Sequence, residues 1–371
     1  MNRYAGIDRT ELRNIRVDCI DIDKLRATDS RISFTNNELG YIVHTTTGET
    51  KRVDRLVIKD NYMFNSFRLD FKKMKGDRNY YTILDVTIAT KEGESDNLRP
   101  LNISEYRNKI KNIKNYIRDF YGVFLDISEA RFNTIELNVT NEMVYSFHEY
   151  TRIFEAVRKK RNHKKYPVVG IKEKKLQYET YIFSNKSLTN ELKLYNKTAQ
   201  LAYCFSIYKK ENYIRFEYRL NSYELIENRL GTSKVSELTD KAIRDLLSKS
   251  IREDIFKPVE AYINDSNKKL DKMYKNLKKQ YKRGYIRQFA QYSSQLEMPI
   301  LDMEQVIAIA KKDMNKSNNY SKNYKVIDEV MPDVLKNNLV KLDELKEKFI
   351  LDISIPYKNK NIQENREESQ K

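Results

Sequence analysis

The chain has 371 residues, enough for two domains and a buried core of ordinary size. Its formal net charge of +17 predicts a polyanionic partner, above all nucleic acid, because neutralised phosphates release their counterions. No apolar run is long enough to cross a bilayer and the first residues do not resemble a secretory leader, so we expect a cytoplasmic protein with no membrane partner.

Cysteine and histidine are too scarce to suggest a soft metal site. The two cysteines, Cys19 and Cys204, lie far apart, which favours buried free thiols over a disulfide. The three histidines, His44, His148 and His163, are scattered along the chain. Any metal ion would therefore depend mostly on oxygen ligands.

The first part of the chain, residues 1–78, has the pattern of β-strands. Short runs of alternating apolar and polar residues begin at Ile15 and recur as far as Thr90. A helix is predicted to follow from Ser104 to Gly122, because apolar residues recur there at spacings of three and four. Gly122 stands where a helix-terminating glycine is expected.

The next part, residues 79–222, alternates strands and helices. Strands are predicted at 134–139 and 213–220, a second helix at 142–159, and a hairpin whose strands are 178–183 and 191–197. A further helix is expected at 198–208. This order predicts an α+β fold with a mainly antiparallel sheet and helices on one face.

Residues 223–355 change to a basic helical pattern. Leu270, Tyr274, Leu277 and Tyr281 form an apolar stripe surrounded by lysine and arginine. The basic residues of this segment that we predict to contact DNA phosphates are Lys275, Lys278, Lys279, Lys282 and Arg283. The polar tail, residues 356–371, is expected to be disordered.

The candidate chemistry lies on the polar faces of three predicted strands. Tyr195 stands between Lys193 and Lys197, and Glu136 and Glu217 each occupy the polar face of another strand. A tyrosine hydroxyl is a weak nucleophile at neutral pH, so nearby cations are needed to make it reactive. Two carboxylates can hold Mg²⁺ or Mn²⁺. If the strands share one accessible surface, the residues support transesterification of a phosphodiester.

Each candidate residue also has a purely structural interpretation. Tyr195 by itself is typical of a packed aromatic residue. Glu136 or Glu217 by itself is typical of a carboxylate on the surface or in a salt bridge. Arg215 and Arg219 flank Glu217 on its own face, where they either pair with that carboxylate or contact DNA.

Three short motifs resemble those of rolling-circle replication initiators. Residues 180–200, with Leu194, Tyr195, Asn196 and Lys197 in succession, resemble the active-tyrosine segment of the Rep_trans plasmid initiators and the gene II replication proteins of filamentous phages. Residues 133–137 resemble the acidic strand of these families, and residues 214–217 resemble their arginine and glutamate strand.

The resemblance covers roughly residues 80–222 and implies a Rep-type nuclease domain. It implies that Tyr195 nicks one strand of a double-stranded origin, leaving a 5′-phosphotyrosine link and a free 3′-hydroxyl primer. Single-stranded DNA, a host helicase and a host polymerase would then be partners. One nucleophile stands out, so termination would need a second protomer, as in a homodimer, or a second tyrosine such as Tyr181.

The chain departs from the family at the metal site. Thr140 stands where the plasmid initiators often have a second aspartate, so Asp85 or Glu142 would complete the ligand set. The histidine-based metal motif of other rolling-circle initiators is absent from the sequence. Two alternatives remain open: a relaxase of a conjugative element, and a DNA-binding replication regulator without catalysis.

Overall fold

A computed structural model gives the fold of most of the chain. The residues that it describes are 4–27, 32–35, 41–44, 50–53, 55–62, 65–73, 80–87, 98–161, 180–184, 190–296, 302–314 and 320–351. Two predicted features lie outside these ranges: the turn of the predicted hairpin, at 185–187, and the tail at 356–371.

Most of the described strands join a single antiparallel sheet. The strands are β1 (Tyr4–Arg13), β2 (Arg16–Ile20), β3 (Ile32–Thr35), β4 (Tyr41–His44), β5 (Thr50–Val53), β6 (Arg55–Tyr62), β7 (Asn65–Lys73), β8 (Tyr80–Thr87), β9 (Val123–Asp126), β10 (Arg131–Met143), β11 (Thr180–Ser184), β12 (Asn190–Asn196) and β13 (Asn212–Leu220). Nine of them form the order β11-β12-β13-β10-β1-β8-β7-β6-β3. The pairs β2-β9 and β4-β5 form two small sheets.

The helices are concentrated in the second half of the chain. They are α1 (Ile22–Ala27), α2 (Ile103–Tyr121), α3 (Phe147–Arg161), α4 (Lys197–Phe205), α5 (Tyr223–Leu230), α6 (Asp240–Ile251), α7 (Lys257–Gln280), α8 (Tyr285–Gln295), α9 (Met303–Met314), α10 (Tyr320–Val330) and α11 (Asn338–Lys346). The α+β class with an antiparallel sheet is confirmed. None of the helices in the described part of the chain combines the length and the apolar character needed to cross a membrane.

Local sequence sets the ends of α2. The Asn102 side chain accepts from the backbone N–H of Glu105 at 2.9 Å, and Glu105 Oε2 accepts from the backbone N–H of Asn102 at 3.1 Å. This reciprocal cap satisfies amide groups that have no partner within the helix. Gly122 ends the helix with a φ of 68°, as its position predicted.

The central strand β1 is absent from the sequence-based prediction. Residues 8–11 are all polar, and the buried residues Ile7, Thr10 and Leu12 do not form an alternating apolar pattern. β1 nevertheless pairs with both β10 and β8 and holds the two halves of the sheet together.

Three local predictions were wrong. α3 begins at Phe147, because β10 continues to Met143. Lys197 is the first residue of α4, so the alternation of β12 does not extend to it. Cys204 is an exposed free thiol on α4 and not a buried one.

The described residues form two apolar cores. The larger core packs the apolar face of the sheet against helices, and it includes residues distant in sequence such as Ile243 on α6, Val259 on α7 and Leu345 on α11. The second core lies between α7, α8, α9 and α10, around Leu270 and Phe289. α7 therefore contributes to the sheet core near its beginning and to the basic helical core near its end.

Candidate active site

Strand pairing places polar residues of neighbouring strands side by side. Tyr195 on β12 lies opposite Arg215 on β13, and Lys193 lies opposite Glu217. Glu217 in turn lies opposite Asn138 on β10. Because directly paired residues project from the same face of a sheet, these side chains share one polar face, as the sequence predicted.

A bulge in β1 adds a carboxylate that the sequence analysis did not anticipate. Ile7 pairs with Leu137 and Arg9 pairs with Glu136, so Asp8 is the extra residue between two regular pairs. A bulge of this kind redirects a side chain while the rest of the strand keeps its register. Asp8 thereby joins the polar face.

Asp8, Glu136 and Glu217 form a compact acidic cluster. One carboxylate oxygen from each lies within 4.8 Å of the others. Their exposed fractions are only 8%, 8% and 7%. Buried like charges repel each other unless a cation is present, and carboxylate oxygens are the ligands that Mg²⁺ and Mn²⁺ prefer. The donor set therefore fits a hard divalent ion.

Arg215 is the buried cation of this site. It is 0% exposed. Its Nη1 lies 3.4 Å from Asp8 Oδ2 and 3.9 Å from Glu217 Oε1, and its Nε donates to Thr140 Oγ1 at 2.7 Å. A fully buried guanidinium cannot contact DNA in this conformation. The prediction of Arg215 as a DNA-binding residue is therefore replaced by a role in balancing the carboxylates.

Tyr195 joins the acidic cluster but is not accessible. Its hydroxyl donates a hydrogen bond to Glu217 Oε1 inside the cluster, and its side chain is 2% exposed. Burial raises the pKa of the Tyr195 hydroxyl well above its ordinary value, and the carboxylate of Glu217 raises it further against the opposing charge of Arg215. The phenol and the acids thus share a surface, but that surface is closed.

The carboxyl of Glu136 holds its proton unusually strongly. Burial, followed by the charge of Glu217, raises the pKa of Glu136 to about 8. The positive charge of Lys193 opposes this shift in the pKa of Glu136. Lys193 Nζ lies 3.7 Å from Glu217 Oε2 and 3.4 Å from Glu191 Oε1. Burial disfavours the charged form of Lys193, but the surrounding carboxylates outweigh it and raise the pKa of that ammonium.

The two remaining basic residues predicted for the sheet take different positions. Lys197 is 1% exposed, and its Nζ donates to Gln200 Oε1 at 2.9 Å. Arg219 is half-buried opposite Glu136. Lys197 therefore lies inside the fold, whereas Arg219 keeps partial access to solvent.

Asp8 supplies a carboxylate that was not predicted, and the predicted ligand Asp85 stays untested. Asp85 lies on β8 opposite Glu11, but its side chain is outside the described residues. Among described residues, Asp8 is the third member of the cluster.

Asn138 is buried in the same face with its amide unsatisfied. It is 0% exposed, and among the described residues neither Oδ1 nor Nδ2 has a hydrogen-bond partner. An unsatisfied buried polar group costs about 1–3 kcal/mol. Nothing in the sequence pattern distinguished it from Thr134 or Thr140, since all three stand on the polar side of an apolar strand.

The predicted DNA-contacting residues lie on α7 and the loop after it, next to the second core. Lys275 pairs with Asp271 at 2.6 Å, and Lys278 pairs with Asp313 at 2.7 Å. The other three are exposed: Lys279, Lys282 and Arg283. Within the described ranges, the second core, which includes the apolar residues of this part of α7, contains none of the strands that carry the acidic cluster.

No family model matches the chain, and a search of curated proteins gives no significant match.

The first prediction concerns the stability of the buried charges. Arg215→Met removes the guanidinium and leaves the carboxylates of Asp8 and Glu217 buried without it. We expect the free energy of unfolding to fall by about 3–5 kcal/mol, measured by urea denaturation. The matched control is Arg219→Met on the same strand, where partial exposure limits the loss to about 1 kcal/mol. Equal losses in the two variants would contradict the assignment.

The free energy of unfolding should depend on pH through Glu136. The carboxyl of Glu136 has a pKa of about 8 in the fold against an ordinary value of 4.5. Between these values the folded state keeps a proton that the unfolded chain releases, so stability falls as pH rises, by at most about 1.4 kcal/mol per pH unit.

Denaturation in EDTA from pH 5 to pH 8 measures this slope. Glu136→Gln carries no titrating proton and should flatten it. Glu129→Gln, whose parent side chain is 71% exposed, should leave it unchanged. An unaltered slope in Glu136→Gln would assign the titration to another group.

Proposed function

We propose that the protein is a DNA-nicking replication initiator in which Tyr195 cleaves one strand of a double-stranded origin. The observation that carries this proposal is the hydrogen bond from Tyr195 to Glu217 within the acidic cluster. A tyrosine that serves only packing can donate its hydrogen bond to any acceptor. Here the acceptor belongs to a set of carboxylates suited to a divalent ion, which is the combination that phosphodiester transesterification needs.

The residues divide the reaction between them. Tyr195 Oη attacks the phosphorus and forms the phosphotyrosine bond, while its proton passes to Glu217, which already accepts the hydrogen bond. The bond from phosphorus to the 3′ oxygen breaks, and that oxygen takes up a proton from water to become the 3′-hydroxyl primer. Rejoining is the same exchange in reverse, with the 3′-hydroxyl as nucleophile.

Asp8, Glu136 and Glu217 would hold Mg²⁺ or Mn²⁺, which when bound supplies positive charge to the phosphoryl group. Arg215 and Lys193 provide two positive charges against three carboxylates once Glu136 is ionised. Because the pKa of Glu136 is raised to about 8, the site becomes anionic and unfavourable to a phosphodiester only when that proton leaves. This charge balance supports a metal-dependent reaction.

The burial of Tyr195 favours a second candidate, a DNA-binding regulator without catalysis. At 2% exposure the hydroxyl cannot meet a phosphodiester until the groups that cover it move. Under the nicking proposal the described conformation is a closed state that DNA binding opens. In a regulator the same hydrogen bond would only stabilise the fold.

The arrangement of the chain supports recognition of duplex DNA apart from the chemistry. The basic residues lie on α7 and the loop after it, next to the second core, whereas the acidic cluster lies on the sheet. The three resembling segments contain β10, β12 and β13, which are adjacent in the sheet, and this adjacency supports the proposal of a Rep-type nuclease fold. A host helicase and polymerase, and a second protomer for termination, belong to this proposal; a relaxase would use the same site.

The nucleophile is tested with a suicide oligonucleotide carrying the cognate origin and Mn²⁺. We expect a phosphotyrosine adduct at Tyr195 by mass spectrometry, and its formation should slow by at least about a thousandfold in Tyr195→Phe. The matched control is Tyr218→Phe, because Tyr218 on β13 is equally buried, at 2%. An adduct that persists in Tyr195→Phe would move the nucleophile elsewhere, for example to Tyr181. No adduct in any protein would favour the regulator.

The basic surface is tested by the salt dependence of origin binding. Replacing Lys279, Lys282 and Arg283 by Gln should reduce the slope of log K against log salt by about 0.9 for each phosphate that the variant no longer neutralises. The control is Lys241→Gln, an exposed lysine on α6 outside the second core. If the slope of the triple variant equals that of the wild type, these side chains do not contact phosphates.

A further inference from the structure

We infer that Asn138 is a fourth ligand of the divalent ion, with its amide oxygen directed at the cation held by Asp8, Glu136 and Glu217. This inference rests on the proposed metal site and deepens it, because it assigns a neutral ligand that neither the sequence motifs nor the acidic cluster revealed.

The first observation is the isolation of the Asn138 amide. Buried side-chain amides in folded proteins are almost always hydrogen-bonded. Asn138 is 0% exposed, and both of its polar atoms are without a partner within the described part of the chain. A leucine would fill such a position without the desolvation cost. The burial of this unsatisfied amide therefore points to a bound group that contacts it.

The second observation is its position among the carboxylates. Asn138 follows Glu136 by two residues on β10, so both project from the same face. Glu217 lies directly opposite it on β13, and Gly6, its partner on β1, contributes no side chain. Asp8 lies just beyond Gly6, in the bulge. The unsatisfied amide is thus bordered by all three members of the acidic cluster.

The chemistry of the amide suits this role. Asn carbonyl oxygens bind hard divalent ions alongside carboxylates. A neutral oxygen adds a ligand without adding a further negative charge to a buried cluster, where every additional carboxylate is costly. Thr140 does not supply this neutral ligand, because its Oγ1 accepts a hydrogen bond from Arg215 Nε. The Asn138 amide oxygen does.

The test measures Mn²⁺ binding to the full chain without DNA, by isothermal titration, together with the melting temperature in EDTA. Asn138→Leu should raise the Kd for Mn²⁺ by about tenfold or more. It should not lower the melting temperature of the metal-free protein, because an unsatisfied buried amide has been removed. Asn138→Asp should do the opposite on both counts: a lower Kd and a lower metal-free melting temperature.

The matched control is Asn141→Leu on the same strand. Asn141 is also buried, but its Nδ2 donates to the backbone carbonyl of Lys348 at 2.9 Å and its side chain belongs to the other face. This variant should lower the melting temperature and leave the Kd for Mn²⁺ unchanged. It separates a general loss of packing in β10 from the loss of a ligand.

The inference is overturned if Asn138→Leu binds Mn²⁺ as tightly as the wild type, or if the wild type does not bind Mn²⁺. Should Asn138→Leu fail to fold, Asn138→Asp decides: a lower Kd supports the inference, and an equal or higher Kd overturns it. Failure of the nicking proposal is distinguishable, since Mn²⁺ binding that depends on Asn138 in a protein that forms no DNA adduct would keep the ligand and reject the reaction.

Discussion

The buried guanidinium of Arg215 is the interaction on which the polar face of the sheet depends. It reaches Thr140 on the neighbouring strand β10, Asp8 on β1 beyond it, and Glu217 on its own strand. Burying several carboxylates within 4.8 Å of one another is unfavourable without such a cation. Arg215 contacts Asp8 and Glu217, while burial and the charge of Glu217 keep Glu136 protonated near neutral pH, so the buried site carries one negative charge fewer than its three carboxyl groups could supply.

This arrangement explains why the site is assembled from residues so far apart in the chain. Asp8, Glu136 and Glu217 lie on β1, β10 and β13, which are neighbours in the sheet although not in the sequence. Antiparallel pairing fixes their register, because a slip of one residue would move every polar side chain into the apolar core. The helices that cover the other face therefore stabilise the geometry of the site as well as the fold.

Under the nicking proposal, the two apolar cores would assign origin recognition and chemistry to different groups of side chains connected by α7. Because Tyr195 is buried, α7 would then couple DNA binding to the exposure of this tyrosine. Docking of the basic helices on duplex DNA would precede access to the tyrosine, so that cleavage is confined to DNA already bound. A carboxylate that both accepts the tyrosine proton and belongs to the metal cluster would couple the two requirements in one residue, Glu217.

The sequence alone determined the class of fold, the amphipathic helix predicted from Ser104 to Gly122, the apolar stripe around Leu270, and the shared face of Glu136, Tyr195 and Glu217. These follow from local periodicities, because a strand repeats every two residues and a helix every 3.6. Tertiary structure alone decided that Asp8 joins the cluster through a bulge, that Arg215 is buried, that Lys197 begins a helix, and that the Asn138 amide has no partner within the described part of the chain. Bulges, strand neighbours and burial depend on which distant segments pack together, and no local period carries that information.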